Sequence, residues 1–256
     1  MPARAGLYPR AEQATPLSMH WILLIMFLAA LLQGIVGFGF ALVAMPLLAL
    51  SMDAPSAAAL VALTGVVLSA VIAGQNWKDI HFGEVAGLII AAAVGVPLGV
   101  YLLASAPKEP LLIALGIIII AFALFSLLRP PTGELKDRRW RYAAGFAGGV
   151  LGGAYNIPGP PVIFYGAMRR WSPARYLGVT QAFFFPVSVM IATGHAVAGF
   201  WSREVLTLFL YALPGAVVAS FIGRRIATRL SPAMLSKAVY GLCLVLGVVI
   251  LATNIG

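Results

Sequence analysis

The chain has 256 residues, 61% of them hydrophobic and 10% charged, with a mean hydropathy of +0.98. Soluble domains carry about 45–50% apolar and about 25% charged residues, so a water-soluble fold is excluded. The net charge of +9 comes from Lys and Arg in connectors, such as Arg138, Arg139 and Arg141, which is the chemistry of membrane orientation and not of nucleic-acid binding.

Apolar stretches fall at 17–50, 55–74, 83–103, 110–128, 141–168, 173–197, 204–223 and 232–252. Each approaches or exceeds the roughly 20 residues that cross a bilayer as helix. The run from His20 to Leu32 follows Arg4 and Arg10 as a secretory signal would. No A-x-A site follows it, however, and the segment continues apolar through Phe40, so it is expected to be retained.

Two stretches carry glycine and proline inside them instead of at their ends. They are Gln33-Gly-Ile-Val-Gly-Phe-Gly39 and Gly148-Gly-Val-Leu-Gly-Gly-Ala-Tyr-Asn-Ile-Pro-Gly-Pro-Pro161. Pro158, Pro160 and Pro161 remove amide donors and the glycines weaken helix, so the chain is expected to unwind there. Unwound backbone at membrane depth is tolerated only where it is buried in protein or lines a wet cavity.

The same clusters expose an internal repeat. Gly34, Gly37 and Pro46 match Gly149, Gly152 and Pro161 at an offset of 115. Pro55 matches Pro173, Gly74 matches Gly194, Glu84 matches Glu204 and Gly95 matches Gly215, the offset drifting only from 118 to 120. The chain therefore divides into a tail at 1–16, a first repeat at 17–128, a basic connector at 129–140, a second repeat at 141–252 and a tail at 253–256.

If all eight stretches cross fully, the basic residues split 9 to 8 between the two sides. If the two broken stretches are hairpins that dip in and return, the split becomes 13 to 4. One side then holds Lys78, the five basic residues of 129–141, Arg169, Arg170, Arg175, Arg224, Arg225, Arg229 and Lys237; the other holds Arg4, Arg10, Lys108 and Arg203. The positive-inside bias favours the hairpins, with the connector 129–141 cytoplasmic and both termini outside. Each half then has three full crossings, and an odd number inverts the second half relative to the first. The expected fold is all-α and integral to the membrane: two homologous halves, read as inverted repeats, each with a broken, re-entrant hairpin and three transmembrane helices.

Such a fold suits a secondary transporter working by alternating access in the cell (inner) membrane. No Lys or Arg lies at the centre of a stretch, so positive potential for an anion must come from helix N-termini restarting after each break. Glycines 34, 37, 39, 152, 153 and 159 either let backbone approach the solute or serve close helix packing. Gln33, Tyr155, Asn156 and Gln181 can donate to a solute or bond between helices. Phe38, Pro158 and Pro160 lie within the breaks and complete the candidate lining. Arg175, in the first turn after Ser172-Pro173, is either a snorkelling interfacial residue or a recruiting charge. Tyr165 lines the same cavity or simply packs. Glu84 and His195 are the titratable groups nearest the spans but lie toward their ends. Trp77, Trp140, Trp171 and Trp201 fall at stretch ends, as an aromatic belt does.

No GxSxG, HExxH or Walker A sequence occurs, so an enzyme is not expected. No metal site and no cofactor are expected either; the lone Cys243 and the spacing of His20 and His81 suit neither. The expected partners are a small anion and the lipid bilayer, with no nucleic acid; a homo-oligomer is compatible with the sequence, and the coupling ion, H+ or none, is open. A passive anion channel and a membrane subunit of a larger complex are the alternatives.

The two half-sites, Gly34-Ile-Val-Gly-Phe-Gly-Phe-Ala-Leu-Val-Ala-Met-Pro46 and Gly152-Gly-Ala-Tyr-Asn-Ile-Pro-Gly-Pro-Pro161, carry a resemblance that covers nearly the whole chain. With them, the Gly-Pro-Pro followed by Tyr165 and Arg175 resembles the second-half pattern of the TauE/SafE membrane transporters, also called the toluene-sulfonate uptake permease family. That resemblance implies a cell-membrane transporter for sulfite, sulfonates or related sulfur-containing organic anions, frequently an exporter.

Overall fold

A computed structural model describes residues 19–75, 82–128, 135–227 and 232–254. Arg4, Arg10, Trp77, Lys78, His81, Arg129 and Arg229 lie outside the described residues, as do 1–16 and 129–134. Ten α-helices follow one another among the described residues: α1 (Met19–Val36), α2 (Phe40–Ala49), α3 (Ala54–Gln75), α4 (Phe82–Ser105), α5 (Lys108–Leu128), α6 (Trp140–Tyr155), α7 (Gly159–Met168), α8 (Pro173–Val197), α9 (Arg203–Ala227) and α10 (Pro232–Asn254). No strand occurs among them. Helix is the form that satisfies every backbone group without water, which is the requirement of a hydrocarbon environment. Six helices among the described residues, α1, α3, α4, α5, α8 and α9, are long and apolar enough to cross a membrane.

The first and fifth apolar stretches are each split in two, α1/α2 and α6/α7, at the places the glycine and proline clusters mark. In the second pair the chain turns back on itself. Leu135, which precedes α6, donates its backbone N–H to the carbonyl of Met168, the last residue of α7, at 2.8 Å. Entry and exit of this hairpin therefore lie side by side. Arg169, just past α7, reaches the carbonyls of Leu135 and Lys136 at 2.8 and 3.0 Å and fastens the same end. In the first pair α2 packs against α1.

The closest helix pairs are α4 with α6 and α1 with α9, followed by α5 with α10 and α3 with α8. Small residues explain the first two. Gly145, Gly149 and Gly153 recur every fourth residue on α6, and a methyl group on any of them would collide with the backbone of Leu88, Ala92 or Val96 on α4. Gly34 on α1 meets the Ser220 carbonyl of α9 in the same way. This is small-residue packing, which lets helices approach where lipid supplies no hydrophobic drive. The registers are parallel in both pairs: Gly87 lies beside Arg141 and Gly99 beside Val150, while Gly215 lies beside Phe27 and Gly223 beside Leu31.

Opposite faces of the same helices are apolar and exposed. On α4, Leu88, Ala92 and Leu103 are buried whereas Ile90, Val94 and Tyr101 are more than 60% exposed. An exposed apolar surface repeated on α9 at Leu210, Tyr211 and Phe221 is what lipid-facing helices present. Trp21, Trp140 and Trp201 are exposed as belt residues would be. Trp171 departs from that expectation, because it turns in against Gly166 and meets Tyr165 edge-on at 5.5 Å.

Candidate solute cavity between the two helix breaks

Each break is built from the residue types that tolerate its backbone. Gly37 and Gly39 adopt φ of 85° and 106°, a left-handed region that costs glycine nothing. Gly39 caps α2 without a side-chain acceptor, so the N–H groups of Phe40, Ala41 and Leu42 have no partner within the helix. In the second break Asn156 takes the left-handed conformation, φ 57° and ψ 25°, and closes α6 by donating its N–H to the Gly152 carbonyl at 2.7 Å. Asparagine is the residue after glycine that best accepts this C-terminal role. Helix α7 restarts behind Pro158 as Gly159-Pro160-Pro161. Two prolines leave Gly159 as the lone amide donor of its first three positions. The electropositive end with free amides is therefore chiefly that of α2.

A side chain ties each break to the long helix of the other half. Asn156 donates its side-chain amide to the Ala58 carbonyl of α3 at 2.7 Å. Gln181 of α8 donates its side-chain amide to the Gly37 carbonyl in the first break. Unwound backbone thereby gains partners that its own helix no longer provides.

Between the breaks lies a cavity of about 70 Å³. One water needs roughly 10–15 Å³ by this measure, so the space suits a group of about five such atoms. Gln33, Phe38, Gly39, Phe40, Asn156, Pro158, Gly159 and Pro160 line it from the breaks. Val61, Gly65 and Ser69 of α3 and Phe184, Ser188 and Ile191 of α8 line it from the long helices. Gln33 is 7% exposed, and no hydrogen bond of its side chain occurs among the described residues, so a buried amide is directed at the space.

Of the residues singled out in the sequence, Gln33, Phe38, Gly39, Asn156, Pro158, Gly159 and Pro160 meet at this cavity. Gly37 and Gln181 stand behind its wall through their shared hydrogen bond. Gly34 and Gly153 pack against α9 and α4, and Gly152 lies against Ile191. Tyr155 is buried and donates its hydroxyl to the Leu111 carbonyl at 3.0 Å. Tyr165 and Arg175 belong to a separate cluster. The cavity residues not singled out include Val61, Gly65 and Ser69 of α3, and Phe184, Ser188 and Ile191 of α8. Each trio keeps one helix face by its three- or four-residue spacing, but that signal is shared with ordinary packing.

The separate cluster surrounds Glu84, at the start of α4 and 4% exposed. Tyr165 donates its hydroxyl to Glu84 Oε2 at 3.0 Å. Arg175 and Arg169 bring guanidinium nitrogens to Oε1 at 3.2 and 3.6 Å. Arg141 donates to the carbonyl of the neighbouring Gly83 at 2.8 Å. His195 is likewise fully buried, not terminal in its environment, and its Nε2–H donates to the Gly153 carbonyl at 2.9 Å. No group of three or more His, Cys, Asp or Glu comes together among the described residues.

An all-helical bundle with exposed apolar faces, two interrupted helical stretches and a small cavity between the interruptions defines a polytopic membrane protein of transporter type. The family described as "Sulfite exporter TauE/SafE" matches residues 22–250, and the chain belongs to that family. It is similar to the probable sulfite/organosulfonate exporter TauE of Cupriavidus necator, with 27% identity over 221 residues, covering 84% of this chain and 86% of that protein. It is also similar to the probable membrane transporter protein YdhB of Bacillus subtilis, with 26% identity over 234 residues, 86% of this chain and 94% of that one. No solved structure matches the chain.

Proposed function

We propose that this protein carries small sulfur-containing anions, sulfite or organosulfonates, outward across the cell membrane by alternating access around the cavity between the two breaks. The observation that carries this reading is the convergence of both breaks on one small cavity that holds the free α2 amides and the unpartnered Gln33 amide. A charged solute loses several kcal/mol or more on leaving water, and pre-oriented N–H donors offset that loss without placing a basic side chain in the span. Sulfite and sulfonate present three acceptor oxygens to such donors. The names borne by relatives of this family support the substrate class.

The halves are read here as inverted repeats. Sequence offset pairs α1 with α6 and α4 with α9, while the parallel packing joins α1 to α9 and α4 to α6. Exchange of the halves maps one packed pair onto the other, and with α1/α2 read as a hairpin, α4 returns after α3 and runs against α1. This arrangement supports rocking of one half against the other around the cavity. The connector at 129–140 is assigned to the cytoplasm on charge.

Purified full-length protein in liposomes, loaded with a panel of sulfite, methanesulfonate, sulfate and acetate, tests this function. Saturable efflux selective for sulfite or methanesulfonate is the expected result. Near-diffusive flux with measurable conductance would assign a channel instead, and no flux above empty liposomes would remove the transport reading for the isolated chain.

A further inference from the structure

The basic end of the bundle holds more hydrogen-bond donors than its own acceptors use. Arg169 and Arg175 reach the Glu84 carboxylate and Arg141 binds the carbonyl of the neighbouring Gly83, so among the described residues of this cluster three positive charges accompany one negative charge. Trp171 lies among them, with the Arg175 guanidinium 5.8 Å from its ring and Tyr165 edge-on to it. The Nε groups of Arg141, Arg169 and Arg175 and the indole Nε1 of Trp171 are buried and meet no acceptor among the described residues. All four are donors only, and none can lose its proton to escape the cost of burial.

Donor surplus and charge surplus coincide, and both call for an oxyanion. The arrangement is also confined to one half. By the repeat offsets, Tyr165 and Arg175 correspond to Leu50 and Ala57, and the Glu84 counterpart, Glu204, is exposed. A mere fastening shared by both halves would not be lopsided in this way. The partners differ in freedom as well. Arg169 is pinned by the Leu135 and Lys136 carbonyls, whereas the Arg175 side chain is 31% exposed and holds Glu84 through a single nitrogen.

We propose that this cluster is a second oxyanion site, at the basic end of the bundle, in which the Glu84 carboxylate is a tethered occupant that an incoming oxyanion displaces from Arg175. The oxyanion takes up Arg175 and the Trp171 N–H while Arg169 and Tyr165 retain Glu84. Its chemistry is that of a small anion with two or three oxygens, and its identity as the transported sulfonate rests on the function proposed above.

Tryptophan emission of the purified full-length chain in detergent, titrated with sodium methanesulfonate against sodium chloride of equal ionic strength, tests the site. Acetate and phosphate form parallel arms that separate sulfonate selectivity from general oxyanion binding. A saturable change that disappears in Trp171→Phe is expected. Glu84→Gln removes the competing charge and should tighten the apparent Kd about fivefold or more, whereas Arg175→Gln should weaken it about tenfold and Arg175→Lys less. Binding unchanged or weakened in Glu84→Gln, unchanged in Arg175→Gln, or a signal indifferent to Trp171→Phe would overturn the proposal. Should Glu84→Gln not give monodisperse protein, the Arg175 pair decides. Gln33→Leu, in the separate cavity, should raise the KM for methanesulfonate efflux about tenfold and leave this titration intact. Loss of the titration with flux retained rejects the second site alone, and a titration without any flux rejects the transport reading alone.

Discussion

Asn156 and Ala58 are ninety-eight residues apart in the chain, yet the side-chain amide of the first donates to the carbonyl of the second at 2.7 Å. That bond holds the second break against α3, and Gln181 holds the first break against α8 through Gly37. The two discontinuities are thus each anchored on the other half, and movement of one half relative to the other must work on both anchors.

Asn156→Ala removes both the amide and the left-handed preference. Flux of sulfite or methanesulfonate should fall by more than about tenfold, with a stability loss of roughly 1–3 kcal/mol for a buried bond broken on one side. Asn156→Gly keeps the conformational freedom and loses only the bond, so it should retain more stability than the alanine variant. Intact transport in Asn156→Ala refutes the anchoring role; liposome efflux and thermal unfolding in detergent measure the two effects.

Gly159 lies on the cavity wall with ordinary room for a small side chain, a built Cβ standing 3.4 Å from the Ile163 side chain and 3.5 Å from Phe184. Gly159→Ala should fold and transport. Gly159→Leu should fold within a few degrees of the parent and lose flux, because the added atoms occupy the cavity. Parental flux in the leucine variant would place the solute path elsewhere.

Gly34 has no such room, since any Cβ meets the Ser220 carbonyl of α9. Gly34→Val should therefore reduce the yield of monodisperse protein before any effect on transport can be read, with a cost of about 1–3 kcal/mol for overpacking. Size-exclusion profiles indistinguishable from the parent would contradict the close approach of α1 and α9.

Gln33→Leu keeps the volume and removes the buried amide that faces the cavity. KM for methanesulfonate efflux should rise about tenfold, the scale of one lost hydrogen bond to a charged group, while the unfolding temperature stays near that of the parent. An unchanged KM would detach Gln33 from the solute.

Orientation is tested at Asp137, which is exposed and precedes the second half. Cys243 is fully buried, so background labelling is low. A cysteine replacing Asp137 should react with an impermeant maleimide in inside-out vesicles and not in intact cells. The reverse pattern would turn the molecule over.

Membrane residence, the all-helical fold and the positions of both breaks were legible without coordinates, because they depend on local quantities: apolar run length, glycine freedom and the missing N–H of proline. The expected stretch 141–168 is realised as Trp140–Tyr155 and Gly159–Met168, with the interruption at Asn156 to Pro158. Asn156 could be chosen from its place inside the break. The role of each glycine could not, since Gly34 and Gly39 look alike in the chain while one abuts a neighbouring backbone and the other bounds the cavity.

What only the tertiary structure decided is where long side chains end. Glu84 and Arg175 stand at the ends of apolar stretches, where an exposed, snorkelling placement is the default for either. They meet because α4 lies against both α6 and α8, and small residues along α4 and α6 set the first of these packings. Periodicity and composition act over a few residues. An ion pair across ninety-one residues is determined by how whole helices nest, and that information resides in the assembled bundle.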